Sequence, residues 1–335
     1  MRFMKDDEFL LLMVHAEDRA VGFEKWHILT TEERKRLYDV GIRTAHEQPP
    51  WNKVNPSREH YDWGYLDHMI GRNRNAGLKS LIQLPGWRVP KWVPQEWKAR
   101  RKEGMYEDEA LSFWSVEAQQ YIDEYIQTVM DHYPEEDVGF FFGEHQGGEG
   151  AYPPTWCVFD DSALENYKNT FGSSAIPEIG NPDSMSWFGD KVVQHYIDRA
   201  RLFYLRQGEA WNAQQRLMDK WSKAYGNFVQ PDIMETYSKV YPDISVVLLQ
   251  YTYFDDSHGA DEQNWVDNLI KISNCETIVE AMFCDGLPKT TPLAIAKGFR
   301  GQIVHPANGF DNVSLSDDMV NKIRDSHNLW KASRE

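Results

Sequence analysis

Basic residues are scarce in this chain. Lys and Arg number 36 against 52 Asp and Glu, which leaves a formal net charge of −16 over 335 residues. Nucleic acid and anionic membrane surfaces both require a basic face, so neither is expected as a partner. Cysteine is scarcer still. Cys157, Cys275 and Cys284 have no zinc-type spacing and cannot all pair. Reduced thiols are the simplest reading, and with them a cytoplasmic location. Long apolar runs are missing too. Nothing approaches the roughly 20 residues that span a bilayer, and the mean hydropathy is −0.63. Phe9–Val14 is too short for a signal-peptide core and follows Asp6, Asp7 and Glu8 where a basic segment would stand. Internal repeats, low-complexity tracts and Pro/Gly/Ser-rich linkers are also absent.

What remains is a rhythm of short apolar strand, loop and amphipathic helix. Hydrophobic residues make up 41% of the chain, enough for a large core. Strands are expected at Phe9–Val14, Gly41–Ala45, Leu78–Leu84, Val138–Phe142, Ile244–Tyr251, Thr277–Met282 and Phe299–Val304. Helices are expected after Thr31, over Tyr65–Asn75 up to Gly77, over Val116–His132 behind a Ser115 cap, and over Val192–Leu205, Ala210–Ala224, Trp265–Ile272 and Asp317–Trp330. Alternating β and α segments imply a parallel sheet. Counting back from the C-terminus, only a fifth strand is missing from eight. The expected fold is therefore α/β, a single-domain (β/α)8 TIM barrel over residues 1–335. It would carry a partly helical insertion between strands four and six, at about residues 150–240.

Active sites of such barrels lie at the C-terminal ends of the strands. Glu144 follows the apolar run Val138–Phe142 and opens a glycine-rich loop, Gly143-Glu-His-Gln-Gly-Gly-Glu-Gly150. Glu280 sits in the later run Thr277-Ile-Val-Glu280. Carboxylates from strands four and seven supply the two groups that acid/base cleavage of a glycosidic bond requires. A Glu behind three Phe residues is partly desolvated, which raises its pKa and suits a general acid. The plain alternatives are a strand-end acid paired to a cation for Glu144 and a salt bridge to Arg43 for Glu280. Glu149 and Asp285 are the nearest substitutes for the two roles. Arg43, Trp51, Trp87, His145, Glu149, Tyr251 and His305 lie at or just past expected strand ends and are candidate substrate-binding residues. Trp51 and Trp87 are the candidates for stacking on a sugar ring, although most of the 13 Trp and 16 Tyr should be core.

The layout resembles clan A glycoside hydrolases, and within them the family 42 β-galactosidase-type barrels. Tyr61-Asp-Trp-Gly-Tyr-Leu-Asp67, Ala76-Gly-Leu-Lys79, Gln83-Leu-Pro85 and Pro90-Lys-Trp92 are similar to that family's second helix and third strand. Trp114–Glu144 has its third helix and fourth strand, and Ile278-Val-Glu-Ala281 looks like its nucleophile strand. The resemblance implies a retaining glycosidase acting on a β-linked carbohydrate without a cofactor, with Glu144 as acid/base and Glu280 as nucleophile. Clan A usually has Asn before the acid/base, where this chain has Gly143. That departure favours a second class, a barrel that binds glycan without cleaving it. A third class is a metal-dependent hydrolase built on His15, His46, His145 and His305, although strand one carries His15-Ala-Glu17 rather than a His-x-His pair. The oligomeric state, the sugar and the linkage are not specified by the sequence.

Overall fold

The computed structural model describes residues 11–14, 29–47, 49–85, 89–134, 136–143, 157–178, 180–215, 246–251, 276–281, 284–304 and 314–335. The described residues include ten strands: β1 (Leu11–Val14), β2 (Thr44–Glu47), β3 (Lys79–Pro85), β4 (Lys98–Arg100), β5 (Tyr106–Leu111), β6 (Val138–Gly143), β7 (Ala210–Gln215), β8 (Val246–Tyr251), β9 (Glu276–Ala281) and β10 (Gly301–Val304). Eight of them close into a barrel in the order β1-β10-β9-β8-β7-β6-β3-β2, which is simply chain order around the ring. β4 and β5 stand outside it as an antiparallel ribbon.

The fifth barrel strand, absent from the sequence reading, is β7. Ala-Trp-Asn-Ala-Gln-Gln carries no β-branched residue and is rich in helix formers, so its periodicity read as helix. The stop signal was Gly208, which caps the preceding helix Pro182–Gln207 in the left-handed conformation at φ 75°. Two other expectations shift by a few residues. The first helix, Thr31–Asp39, is capped by Thr30, which shares a reciprocal capping box with Glu33. β2 begins at Thr44 because Gly41, at φ 114°, belongs to the exit of that helix. Its N–H and that of Ile42 bond back to Tyr38 and Leu37, and a Cβ at Gly41 would collide with the ring of His327. The helix Val116–His132 runs as expected, with Ser115 Oγ accepting from Ala118 N at 3.3 Å. The expected helix Trp265–Ile272 lies outside the described residues.

The strands expose one face to the helices and one to the barrel interior. Ile82, Leu84, Phe140 and Phe142 join the core formed with the helices Trp63–Asn75 and Val116–His132. Their neighbours Leu81 and Phe141 are equally buried but stand outside that cluster, on the inner face. On the far side Val304 joins a second core with Leu37, Leu287 and Trp330. Gln302 is held there by Thr290 and Thr291 of the helix Leu287–Ala296.

The polar tie between strand two and its helices is a buried ion pair. Arg34 Nη1 lies 3.1 Å from Glu47 Oε1, and Asn73 Nδ2 donates to the same oxygen at 2.8 Å. All three residues have no solvent exposure. Removing one member of such a network strands the other charge, which typically costs about 3–5 kcal/mol. Arg34→Ala is therefore expected to destabilise the protein by about that amount, and Arg34→Met paired with Glu47→Leu by much less, read by urea denaturation.

Candidate active site

Registers around the barrel fix the relative heights of its residues. From Gln83 the pairings run through Phe141, Trp211 and Val247 to Glu276. From Glu280 they run through Ile303, Leu12 and Thr44 to Lys79. Each half-turn thus slips four residues, from 280 to 276 and from 83 to 79, so the full turn slips eight. That is the stagger of a (β/α)8 barrel, whose interior is filled by layers drawn from alternate strands. Levelled perpendicular to the barrel axis, the slip is one residue per strand. Val14, Gln83, Ala213 and Glu280 then occupy one level, with Gly143 and Tyr251 one level higher. The same rule puts His46 level with Phe141, and their rings do meet edge-on at 4.5 Å.

Both candidate carboxylates therefore belong to the C-terminal end of the barrel by chain position. Glu280 is the penultimate residue of β9, and Glu144 follows the last residue of β6. The side chain of Glu280 and the whole of Glu144 lie outside the described residues, as do Trp87, His145, Glu149, His305 and the side chain of Tyr251.

Two candidate binding residues are described, and neither serves the mouth. Arg43 precedes β2 and stands four levels below Gln83, at the opposite end of the barrel. Its guanidinium donates to the carbonyls of Tyr38 at 2.6 Å and Ile42 at 3.0 Å, and lies 4.3 Å above the Tyr38 ring. This corrects the expectation drawn from a strand placed too early, and it removes Arg43 as a partner for Glu280. Trp51 does follow the C-terminal end of β2, but it is fully buried. Its ring packs against Tyr125 at 5.1 Å and Tyr121 at 6.5 Å, inside the helical core. Trp51 is a core residue. Asp285, the substitute for Glu280, is paired with Lys322 of the helix Asp317–Ala332.

Of the four strand-end histidines only His46 is described, and it packs on Phe141 inside the barrel. Among the described residues no cluster of His, Cys, Asp and Glu could hold a metal ion. No helix among them is long and apolar enough to cross a membrane.

Sequence reasoning did not single out Gln83. It is fully buried, and neither amide atom has a hydrogen-bond partner. The available signal was a lone amide inside the apolar stretch Leu81–Leu84.

Residues 22–135 match the glycosyl hydrolase family 42 model, described as β-galactosidase. The match ends before both Glu144 and Glu280. No curated protein matches the sequence. The fold is similar to the catalytic domain of β-amylase from Paenibacillus polymyxa, with TM-score 0.75 and 14% identity over 95% of this chain and 97% of that one. It is also similar to β-galactosidases from the psychrophilic Marinomonas ef1 (TM-score 0.63, 12% identity, 96% of this chain and 59% of that one) and from the haloarchaeon Halorubrum lacusprofundi (0.63, 12%, 96% and 58%). The chain thus spans under three fifths of those β-galactosidases and nearly all of the β-amylase domain. It resembles glycoside hydrolase barrels of clan A in fold and in its N-terminal sequence.

Two variants check the corrected assignments. His327 has its pKa lowered by burial first and then by Arg43 and Lys331. Arg43→Ala should therefore raise the His327 pKa in an NMR titration while leaving catalytic parameters unchanged. A fall in kcat/KM would return Arg43 to the site. Trp51→Ala should cost about 3–5 kcal/mol of stability through the cavity it leaves, measured by thermal or chemical unfolding.

Proposed function

We propose that this protein is a retaining glycosidase that cleaves a β-glycosidic bond, with a terminal β-galactoside as the first substrate to test. The observation that carries the reading is positional. Parallel strands β6 and β9 end on the same face of one closed barrel, with Glu280 penultimate in β9 and Glu144 next in sequence after β6, which supports a shared site. The family 42 match upstream supports the same reading.

Glu280 is the nucleophile. Its carboxylate attacks the anomeric carbon, and the glycosidic C–O bond breaks as the glycosyl–enzyme ester forms. Glu144 gives its proton to the departing oxygen, then takes one from the water that hydrolyses the ester. Retention requires the two carboxyl groups about 5–5.5 Å apart. β6 ends at Gly143, one level above Glu280 along the barrel axis, and Glu144 is the next residue in the chain, which suits an acid that reaches the leaving group over a nucleophile lying beneath the sugar. Tyr251, one level above Glu280 on the neighbouring strand, is the candidate donor to the nucleophile carboxylate. His145, Glu149, Trp87 and His305 remain the candidates for the sugar contacts. The chemistry needs no cofactor, and the partner is a neutral oligo- or polysaccharide.

The test is a panel of aryl β-glycosides with natural oligosaccharides, and soluble starch joins it because of the β-amylase likeness. Glu280→Ala is expected to abolish turnover, with azide restoring part of it as a product of inverted configuration. Glu144→Ala is expected to lose about 10²–10⁴-fold on poor leaving groups and far less on activated aryl groups. Near-normal activity in either variant would remove that residue from the mechanism. For Glu144 the role would then pass to Glu149. Loss of turnover with a chelator, restored by zinc, would move the chemistry to the histidines.

A further inference from the structure

The interior layer that holds position 280 is unusual in composition. Such layers are normally packed with bulky branched side chains. Here the four register positions are Val14, Gln83, Ala213 and Glu280, of which only Val14 is a branched residue, Ala213 is small and two are polar. Gln83 stands on the third strand of the ring and position 280 on the seventh, directly across the barrel. The Gln83 side chain has no solvent exposure, so bulk water does not satisfy it. Neither its Oε1 nor its Nε2 has a hydrogen-bond partner. The flanking Leu81, Ile82 and Leu84 are apolar and offer none.

An unsatisfied buried amide disfavours the folded state, and a leucine of similar volume would remove that cost. The arrangement becomes favourable once a ligand supplies the missing partners. A primary amide offers one acceptor oxygen and two N–H donors in one plane. That set matches two neighbouring hydroxyl groups on a sugar ring, each of which both donates and accepts. It does not select for a charged group. Resting on the glycosidase reading above, we infer that Gln83 is a substrate-binding residue. Its amide holds a vicinal pair of hydroxyls on the sugar whose anomeric carbon meets Glu280, from the opposite wall of the barrel and at the same height. Positions 83 and 280 share one level on opposite strands of the ring, so a sugar bound between them faces both. Because the sugar's own hydroxyls lose their water on entering, a site built to bond them rejects analogues that lack them.

The test combines Gln83→Leu with aryl glycosides lacking one ring hydroxyl at a time, using whichever parent sugar the wild-type enzyme turns over. Gln83→Leu is expected to unfold at the same temperature as wild type or higher, while kcat/KM on the parent sugar falls by roughly ten- to a hundredfold. The decisive reading is the coupling. Two adjacent deoxy positions should penalise the wild-type enzyme and penalise Gln83→Leu much less, with the remaining positions penalising both alike. Gln83→Met, of nearly the original length, gives the same coupling if leucine disturbs packing. Unchanged kcat/KM, or deoxy penalties that are identical in the variants and wild type, would overturn the assignment while leaving the glycosidase reading intact. Absence of turnover by the wild-type enzyme across the panel would overturn that reading and this assignment with it.

Discussion

The eight-residue stagger of the closed sheet is the constraint on which the rest depends. A sheet can close with eight strands only if each strand slips against the last, and the slip fixes which side chains share a level inside. Here the hydrogen-bonded registers impose four residues of slip on each half of the ring. That alone makes His46 and Phe141 neighbours, although they stand on alternate strands with β3 between them. It also sets Gln83 opposite Glu280, and sends Arg43 to the far end. None of these relations follows from distance along the chain.

The outer wall depends on a different balance. Ile82, Leu84, Phe140 and Phe142 bury their outer faces under two helices, and the hydrophobic effect on that surface holds the helices down. Polar ties then fix register between layers. Arg34, Glu47 and Asn73 lock strand two to the helices Thr31–Asp39 and Trp63–Asn75, and Gln302 with Thr290 and Thr291 locks the last strand to the helix before it. The ribbon of β4 and β5 is tied to the chain after the fourth strand: Phe159 N donates to the Arg100 carbonyl at 3.0 Å. A rigid wall of this kind suits a site that must hold two carboxylates in fixed relation.

How much was legible in the sequence varied with the kind of signal. A strand such as Val138–Gly143 announces itself as a β-rich apolar run, because both of its faces are covered. β7 does not, since Ala-Trp-Asn-Ala-Gln-Gln owes its extended form to its neighbours in the ring, a tertiary preference that overrides the local one. Arg43 misled because Gly41 was read as the start of a strand, when its positive φ serves the exit of the preceding helix. Trp51 misled for a different reason. A tryptophan past a strand end fits a sugar platform and a core anchor equally well in sequence, and only burial separates them. Gln83 was visible as a polar residue in an apolar run, but its significance needs the register. A barrel strand cannot reveal alone what lies across the axis.

The central claim is that Glu280 is the residue that bonds to the sugar. The most direct measurement is trapping with activated 2-deoxy-2-fluoro glycosides, followed by proteolysis and mass spectrometry of the labelled peptide. Fluorine at the 2-position slows both steps, and an activated leaving group restores the first, so the ester accumulates. The account predicts one sugar per chain, carried by Glu280. A label on Asp285 or any other residue, or inactivation-free turnover by a wild-type enzyme that yields inverted product, would contradict it.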